Sequence, residues 1–279
     1  MKKELIISYE DDASKIALIE DGRLFELHEI QQNTDFVVGD IFVGKIKKLA
    51  PNLNAAFVNI GYEKDAFLHY QDLGPQYLTY RKFLQDTVSK RQQTSSLKNF
   101  QIQPEIDKHG TVDKVIAAQD EVLLQITKEP ISTKGPRIST QISLTGRFLV
   151  LIPFDNKVSI SKKVKSAEEK ARLKTLIESI KPEGFGVIIR TVAEGKKVAE
   201  LHNDMNQLVD KWNVCFKNIQ KNKTPAKVLS EEDKASAILR DNFNQDFVSI
   251  ICDDEQMVND MKNYLEVIAP ERKNIVQFY

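Results

Sequence analysis

Between Gly39 and Leu73 the chain reads GDIFVGKIKKLAPNLNAAFVNIGYEKDAFLHYQDL, with apolar and polar residues alternating in period two and glycines at the run ends. That period belongs to half-buried strands and will not sit as a helix. With the later run EVLLQITKEP the chain has about five short strands, enough to close a small barrel. Phe57 and Phe67 then lie ten residues apart on neighbouring strands, among polar residues and close in sequence to Lys45, Lys47 and Lys48. Two readings stand. Both rings fill a core, as buried phenylalanines commonly do, or both lie on the barrel surface and stack bases at about 1–3 kcal/mol each while lysines follow the phosphates.

Around this segment the pattern changes twice. ELIIS and KIALIEDGRLFELHEI read as strands, with Asp21-Gly22 as a hairpin turn. After Leu73 the pattern dissolves over a polar stretch of about 74–114, rich in Gln, Ser, Thr and Lys, with a short helix near Tyr80 to Ser89 and SKRQQTSS as solvated loop. Its Tyr77, Tyr80, Arg81 and Lys82 either extend a ligand path or ride on a loose loop. From Ser166 the period becomes helical: Ser166 with Glu169 forms a capping-box pattern, Leu173, Leu176, Ile177 and Ile180 form one face, and Pro182 and Gly184 end it. The longest helix is expected from Lys197 to Lys221, with Val198, Leu201, Met205, Leu208, Val209, Trp212, Phe216 and Ile219 along one side. A helix capped by Ser230, the strand DFVSIICDD, the helix EQMVNDMKNYLEVIA and the strand-like NIVQFY complete the chain.

The 279 residues suffice for two domains or one large domain with insertions. Forty basic and forty acidic residues cancel, so any claim of nucleic-acid binding must rest on local patches. Cys215 and Cys252 lack zinc-type spacing and do not read as a secreted disulfide framework. No run approaches the ~18–20 apolar residues of a membrane span, and MKKELIISYEDD lacks a signal-type apolar core, so the expectation is a cytoplasmic, soluble protein. His28, His69, His109 and His202 are scattered and suggest no acid–base pair.

Two constellations carry chemistry. In GFGVIIRTVAEGK, Arg190 and Thr191 at a strand end offer a guanidinium fork beside a hydroxyl, a set suited to a terminal phosphate, although a surface ion pair is the competing use. In LRDNFNQDFVSIICDDEQM, Asp241, Asp246, Asp253 and Asp254 invite a magnesium reading. Asp253 and Asp254 precede a helical run, however, and fit its cap and first turn better.

GDIFVGKI, NLNAAFVNIG and DAFLHYQDL together resemble the S1-type OB domain of the ribonuclease E/ribonuclease G family, and KGPR is similar to the ribonuclease G side of it. The resemblance implies that Phe57 and Phe67 stack on RNA bases and that Lys134, of the family's KG pair, helps hold the strand. It also implies a 5′-monophosphate sensor. ISLTGRFLVLIP resembles a wall of that pocket, Gly146 and Val150 fall where the family uses close backbone approach and a backbone donor, and Arg190 with Thr191 match its phosphate-binding pair. SISKKVKS departs from the pattern: Lys162 and Lys163 stand where members often carry paired arginines, which removes bidentate geometry.

The resemblance covers the chain apart from the 74–114 segment and implies an α+β fold of several subdomains. A ribonuclease H-like α/β unit from residues 1–38 and 226–279 would hold two inserts, an S1-type OB barrel at 39–140 and a 5′-sensor α/β region at 141–225. The family's magnesium-binding aspartates lie in a domain related to deoxyribonuclease I, and NIVQFY ends without a polar tail. The expectation is therefore an N-terminal part with no catalytic residue, metal or cofactor of its own, which binds RNA without cleaving it. The implied parent is a homo-oligomeric, Mg²⁺-dependent, single-strand-specific endoribonuclease that processes ribosomal and messenger RNA. A non-catalytic S1-domain RNA-binding or ribosome-associated protein is the alternative, and a structural module with both rings buried is a third.

Overall fold

A two-residue hairpin sets the register of the first sheet: Asp21 and Gly22 both take positive φ, 48° and 76°, which matches the turn to the strand twist. The computed structural model describes residues 1–10, 13–31, 36–131, 134–232 and 234–279. Two units emerge, Met1–Asp35 with Glu232–Tyr279, and Phe36–Glu231.

The first unit begins with β1 (Lys3–Glu10), β2 (Ala13–Glu20) and β3 (Arg23–Gln31), paired antiparallel in sequence. The second unit is built on a closed barrel. Its strands are β4 (Ile41–Ala50), β5 (Ala55–Asn59), β6 (Ala66–His69), β7 (Glu121–Lys128) and β8 (Arg137–Ser139). They run in the order β4-β5-β6-β8-β7, and β7 returns to pair with β4. Period-two alternation sends Phe42, Ile46, Ala56, Val58, Ala66, Leu68, Leu124 and Ile138 into one buried cluster.

The first half of β4 is buried on both faces, whereas Lys45, Lys47 and Lys48 in its second half are exposed. The reason is a second core. Ile41 and Val43 point away from the barrel interior into a cluster shared with the strands and helices that follow. Those are β9 (Leu144–Thr145), β10 (Leu149–Pro153), β11 (Val158–Ile160) and β12 (Phe185–Ile189), a sheet in the order β11-β12-β10-β9. Strand β13 (Ala226–Leu229) pairs with β4.

Between β6 and β7 the chain forms helix α1 (Tyr77–Val88), which starts three residues before the short helix expected near Tyr80, and residues 89–96 after it are non-helical and mostly exposed. Tyr77, Tyr80, Phe83 and Leu84 are buried, so neither tyrosine extends a ligand path, while Arg81 pairs with Asp120 and Lys82 with Asp86. The polar composition concealed an aromatic anchor: Phe83 stacks on Trp212 at 5.3 Å, and the Trp212 indole N–H donates to the Ser95 carbonyl. Burying such a ring contributes about 1.5–3 kcal/mol.

Helix α2 (Ala167–Ile180) is capped by the Ser166 hydroxyl, which accepts from the Glu169 N–H. The long helix α3 (Val198–Lys221) buries Leu201, Met205, Leu208, Trp212, Phe216 and Ile219 as expected, with Cys215 beside them as a small apolar residue, leaves Val198 exposed, and adds Asp204 to the buried side. Burial pushes the Cys215 thiol up to about 12.

The chain then returns to the first unit with α4 (Lys234–Asn242), β14 (Phe247–Cys252), α5 (Glu255–Ile268) and β15 (Val276–Phe278). Ser230 lies too far upstream to cap α4. Strand β14 runs parallel to β1 and β15 parallel to β14, giving a mixed sheet in the order β15-β14-β1-β2-β3. Leu5, Ile7, Ile16 and Leu18 pack against Leu239, Met261 and Leu265 of the two helices. Among the described residues no helix is long and apolar enough to cross a membrane.

Candidate nucleic-acid interface

Phe57 on β5 and Phe67 on β6 are direct cross-strand partners, with ring centroids 5.9 Å apart at 65°. Alternation turns them outward because Ala56, Val58, Ala66 and Leu68 turn inward, and both rings are half-buried. The register carries the row across the barrel: Lys48 pairs with Phe57, Phe67 with Arg137, and Arg137 with Lys128. Two aromatic rings are thus flanked on both sides by exposed cations. A register shift between Ile46 and Lys48 leaves both Lys47 and Lys48 on the surface.

Beside this row lies a groove of about 730 Å³ lined by Phe57, Phe67, Lys64, Lys128, Lys134 and Arg137, together with Glu63, Asp65 and Glu129. Lys134 is exposed, lines the groove and exchanges reciprocal backbone hydrogen bonds with Ile131. Its neighbour Gly135 is obligatory on steric grounds, since a Cβ there would stand 2.2 Å from the Asp65 carbonyl oxygen. The Phe67 N–H donates to the Pro136 carbonyl at 2.9 Å, which ties Pro136 to β6. Acidic groups in the groove are partly engaged: Lys47 bridges Asp65 and Lys64 bridges Glu63, each at 3.1 Å.

The second predicted group assembles where β12 ends. Arg190 donates from its backbone N–H to the Phe148 carbonyl and from Nη1 to the Gly146 carbonyl, the latter at 2.7 Å. The Thr191 hydroxyl lies 3.1 Å from the Ser161 hydroxyl. Exposed Lys162 and Lys163 follow Ser161 directly in the chain. Val150 sits in the middle of this sheet, paired with Ile188 and Thr145. The structure therefore brings Gly146 and Arg190 into contact, places Thr191 beside them, and gives Val150 a place on the supporting strand.

Asp204 was not anticipated. Its buried carboxylate accepts the backbone N–H groups of Arg147, Phe148 and Leu149, each at 2.9 Å. Gly146 must be glycine here, because a Cβ would meet the Asp204 oxygens at 2.7 and 2.8 Å. Burial raises the Asp204 carboxyl, opposed by the three N–H donors and by the Arg190 guanidinium. The sequence carried a signal in retrospect: Asp204 falls on the apolar stripe of α3 between Leu201 and Leu208.

Two cations sit over the neighbouring Phe148 ring, Arg147 at 5.3 Å and Lys196 at 5.4 Å. Lys196 is held by the first turn of α2. Glu169 forms a two-point bridge with Arg172 and accepts the Gly195 N–H, while Arg172 donates to the Lys196 carbonyl. Glu169 thus forgoes the reciprocal half of the capping box. The Arg172 contacts and then the Gly195 N–H push its carboxyl down to about 2.

The carboxylates near the C-terminal end are engaged otherwise. Asp254 caps α5 by accepting the Met257 N–H, Asp253 accepts the Ser8 hydroxyl and Tyr9 N–H, and Asp241 pairs with Arg240. Among the described residues no group of three or more His, Cys, Asp or Glu is arranged to hold a metal ion. These residues do not fit a magnesium centre.

Residues 143–279 match the model of the Ribonuclease E/G family. A ribonuclease G from Haemophilus influenzae is 31% identical over 276 residues, 99% of this chain and 52% of that protein. A ribonuclease E from a Nostoc species is 32% identical over 267 residues, 95% of this chain and 34% of that protein. Escherichia coli ribonuclease G is 28% identical over 279 residues, all of this chain and 53% of that protein. The chain spans about half the length of these ribonuclease G relatives.

Proposed function

The chain belongs to the ribonuclease E/G family, and on that premise we propose that it supplies the RNA-engaging surfaces of a single-strand-specific endoribonuclease in RNA processing. The observation that carries this reading is the outward row Lys48–Phe57–Phe67–Arg137–Lys128 beside an open groove. Half-exposed rings on a barrel face offer π-surfaces to unstacked bases, and flanking cations track the backbone. A duplex keeps its bases stacked on one another and gives the rings nothing to bind.

The cluster of Gly146, Arg190 and Thr191 is proposed as a 5′-monophosphate site. Arg190 is held by the Gly146 carbonyl and Thr191 by Ser161, so a guanidinium and a hydroxyl are presented by consecutive residues where β12 ends. A terminal phosphate oxygen matches both donors. Asp204 holds the loop that orients Arg190. In this reading the chain binds and positions RNA, and phosphodiester hydrolysis is not assigned to any carboxylate described above.

The test is electrophoretic or anisotropy binding of one RNA sequence, single-stranded and annealed to its complement. The single strand binds and the duplex does not. Equal binding of the two overturns the reading.

A further inference from the structure

We infer that Arg137 is a second phosphate-binding residue of the barrel groove, oriented for that role by Asp72; the inference rests on the RNA-binding reading of the groove. Arg137 is the register partner of Phe67 and lines the same groove as Phe57, Phe67 and Lys134. Its guanidinium is not loose. Nε donates to Asp72 Oδ2 at 2.9 Å and Nη2 to Asp72 Oδ1 at 3.1 Å, a two-point fork that fixes the plane. Asp72 is in turn fixed through its own carbonyl, which accepts the Ser139 hydroxyl and the Thr140 N–H. Ser139 and Thr140 follow Arg137 closely, so the ion pair is tied at both ends to the same stretch of chain.

Both Asp72 bonds use the Nε–Nη2 edge, and Nη1 makes no hydrogen bond among the described residues. The Arg137 side chain keeps 43% of its surface exposed against 21% for Asp72. A surface ion pair of this kind contributes little to stability. It does orient the remaining N–H groups beside Phe67, and an arginine held in one plane loses less side-chain freedom on binding an anion. A strand stacked on Phe57 and Phe67 would bring its backbone to both flanks of the rings, with Lys134 at the rim and Arg137 in the row itself. Lysine at this position would keep the charge and lose the fork.

The test compares wild type, Arg137→Gln, Arg137→Lys and Phe57→Ala for binding of a short single-stranded RNA with a 5′-hydroxyl, across a series of salt concentrations. Arg137→Gln is expected to weaken binding about tenfold and to lower the magnitude of the log–log salt slope by about 0.7, the value for one phosphate contact on a single strand. Arg137→Lys restores the slope and only part of the affinity, which guards against a folding artefact in the glutamine variant. Phe57→Ala loses affinity with its slope unchanged. If Arg137→Gln keeps wild-type affinity and slope while Phe57→Ala is defective, the inference fails and the groove stands. A loss in Arg137→Gln with no change in slope overturns it as well. Absence of wild-type binding removes the groove reading together with the inference.

Discussion

Phe57 and Phe67 face each other across β5 and β6 as register partners, their ring centroids 5.9 Å apart, on the outer side of a barrel whose interior is filled by smaller residues. Here the second core takes Ile41 and Val43 from the first half of β4 and stops before the strand's lysines, leaving both rings half-exposed above a groove.

Truncating these rings should cost less stability than truncating the anchor of the following core. Phe83 is fully buried and stacked on Trp212, so Phe83→Ala is expected to lose about 3–5 kcal/mol. Phe57→Ala retains part of its exposure in the folded state and should lose about 1–2 kcal/mol. Denaturant titration of both variants reads the difference, and equal losses would place Phe57 in the core.

Arg190→Ala is expected to abolish the preference for a 5′-monophosphate over a 5′-hydroxyl on otherwise identical RNA, and to leave 5′-hydroxyl binding as it was. The increment at stake is that of a charge-assisted hydrogen bond, about 1.5–3 kcal/mol. Anisotropy titration of the two RNAs measures it. A preference that survives the substitution would assign Arg190 to structure through its Gly146 contact.

Asp204→Ala leaves three backbone N–H groups without their acceptor in a buried loop, and should destabilise the chain by about 2–4 kcal/mol. Hydrogen exchange at residues 147–149 should accelerate. Gly146→Ala is predicted to do likewise, by driving a Cβ into the same carboxylate. Slow exchange in both variants would contradict the positioning role.

Two carboxylates should give opposite pH signatures. Glu169 is held down to about 2, so its contribution is complete above about 4.5 and is lost as pH falls through that window. The stability gap between wild type and Glu169→Gln should therefore close on acidification. Asp204 is raised by burial, so ionisation is disfavoured in the folded state. Its contribution is largest below the ordinary carboxylate range and declines as pH rises through its raised value, and wild type should gain on Asp204→Asn as pH falls. Chemical denaturation at several pH values separates the two.

The barrel strands, the stripe of α3 and the cap of α5 were legible because periodicity and capping are local properties of sequence. Phe57 and Phe67 could be singled out by their alternation, and Arg190 with Thr191 by residue type. Asp204 could not, since its partners at 147–149 lie far away in the chain and only folding shows that a carboxylate on an apolar stripe is satisfied. Arg137 and Asp72 are 65 residues apart, and nothing in either neighbourhood announces the pair. Helix α1 was read too short and too loose because its polar composition hides the aromatic face that docks on Trp212.

The most direct test of the account is the affinity of a 5′-hydroxyl single-stranded RNA for wild type and for the double variant Phe57→Ala/Phe67→Ala, measured at two salt concentrations. Stacking on two rings predicts a loss of about 2–6 kcal/mol, equal at both salts because no charge is removed. Binding undiminished in a folded double variant would show that the barrel face is not where this protein holds RNA.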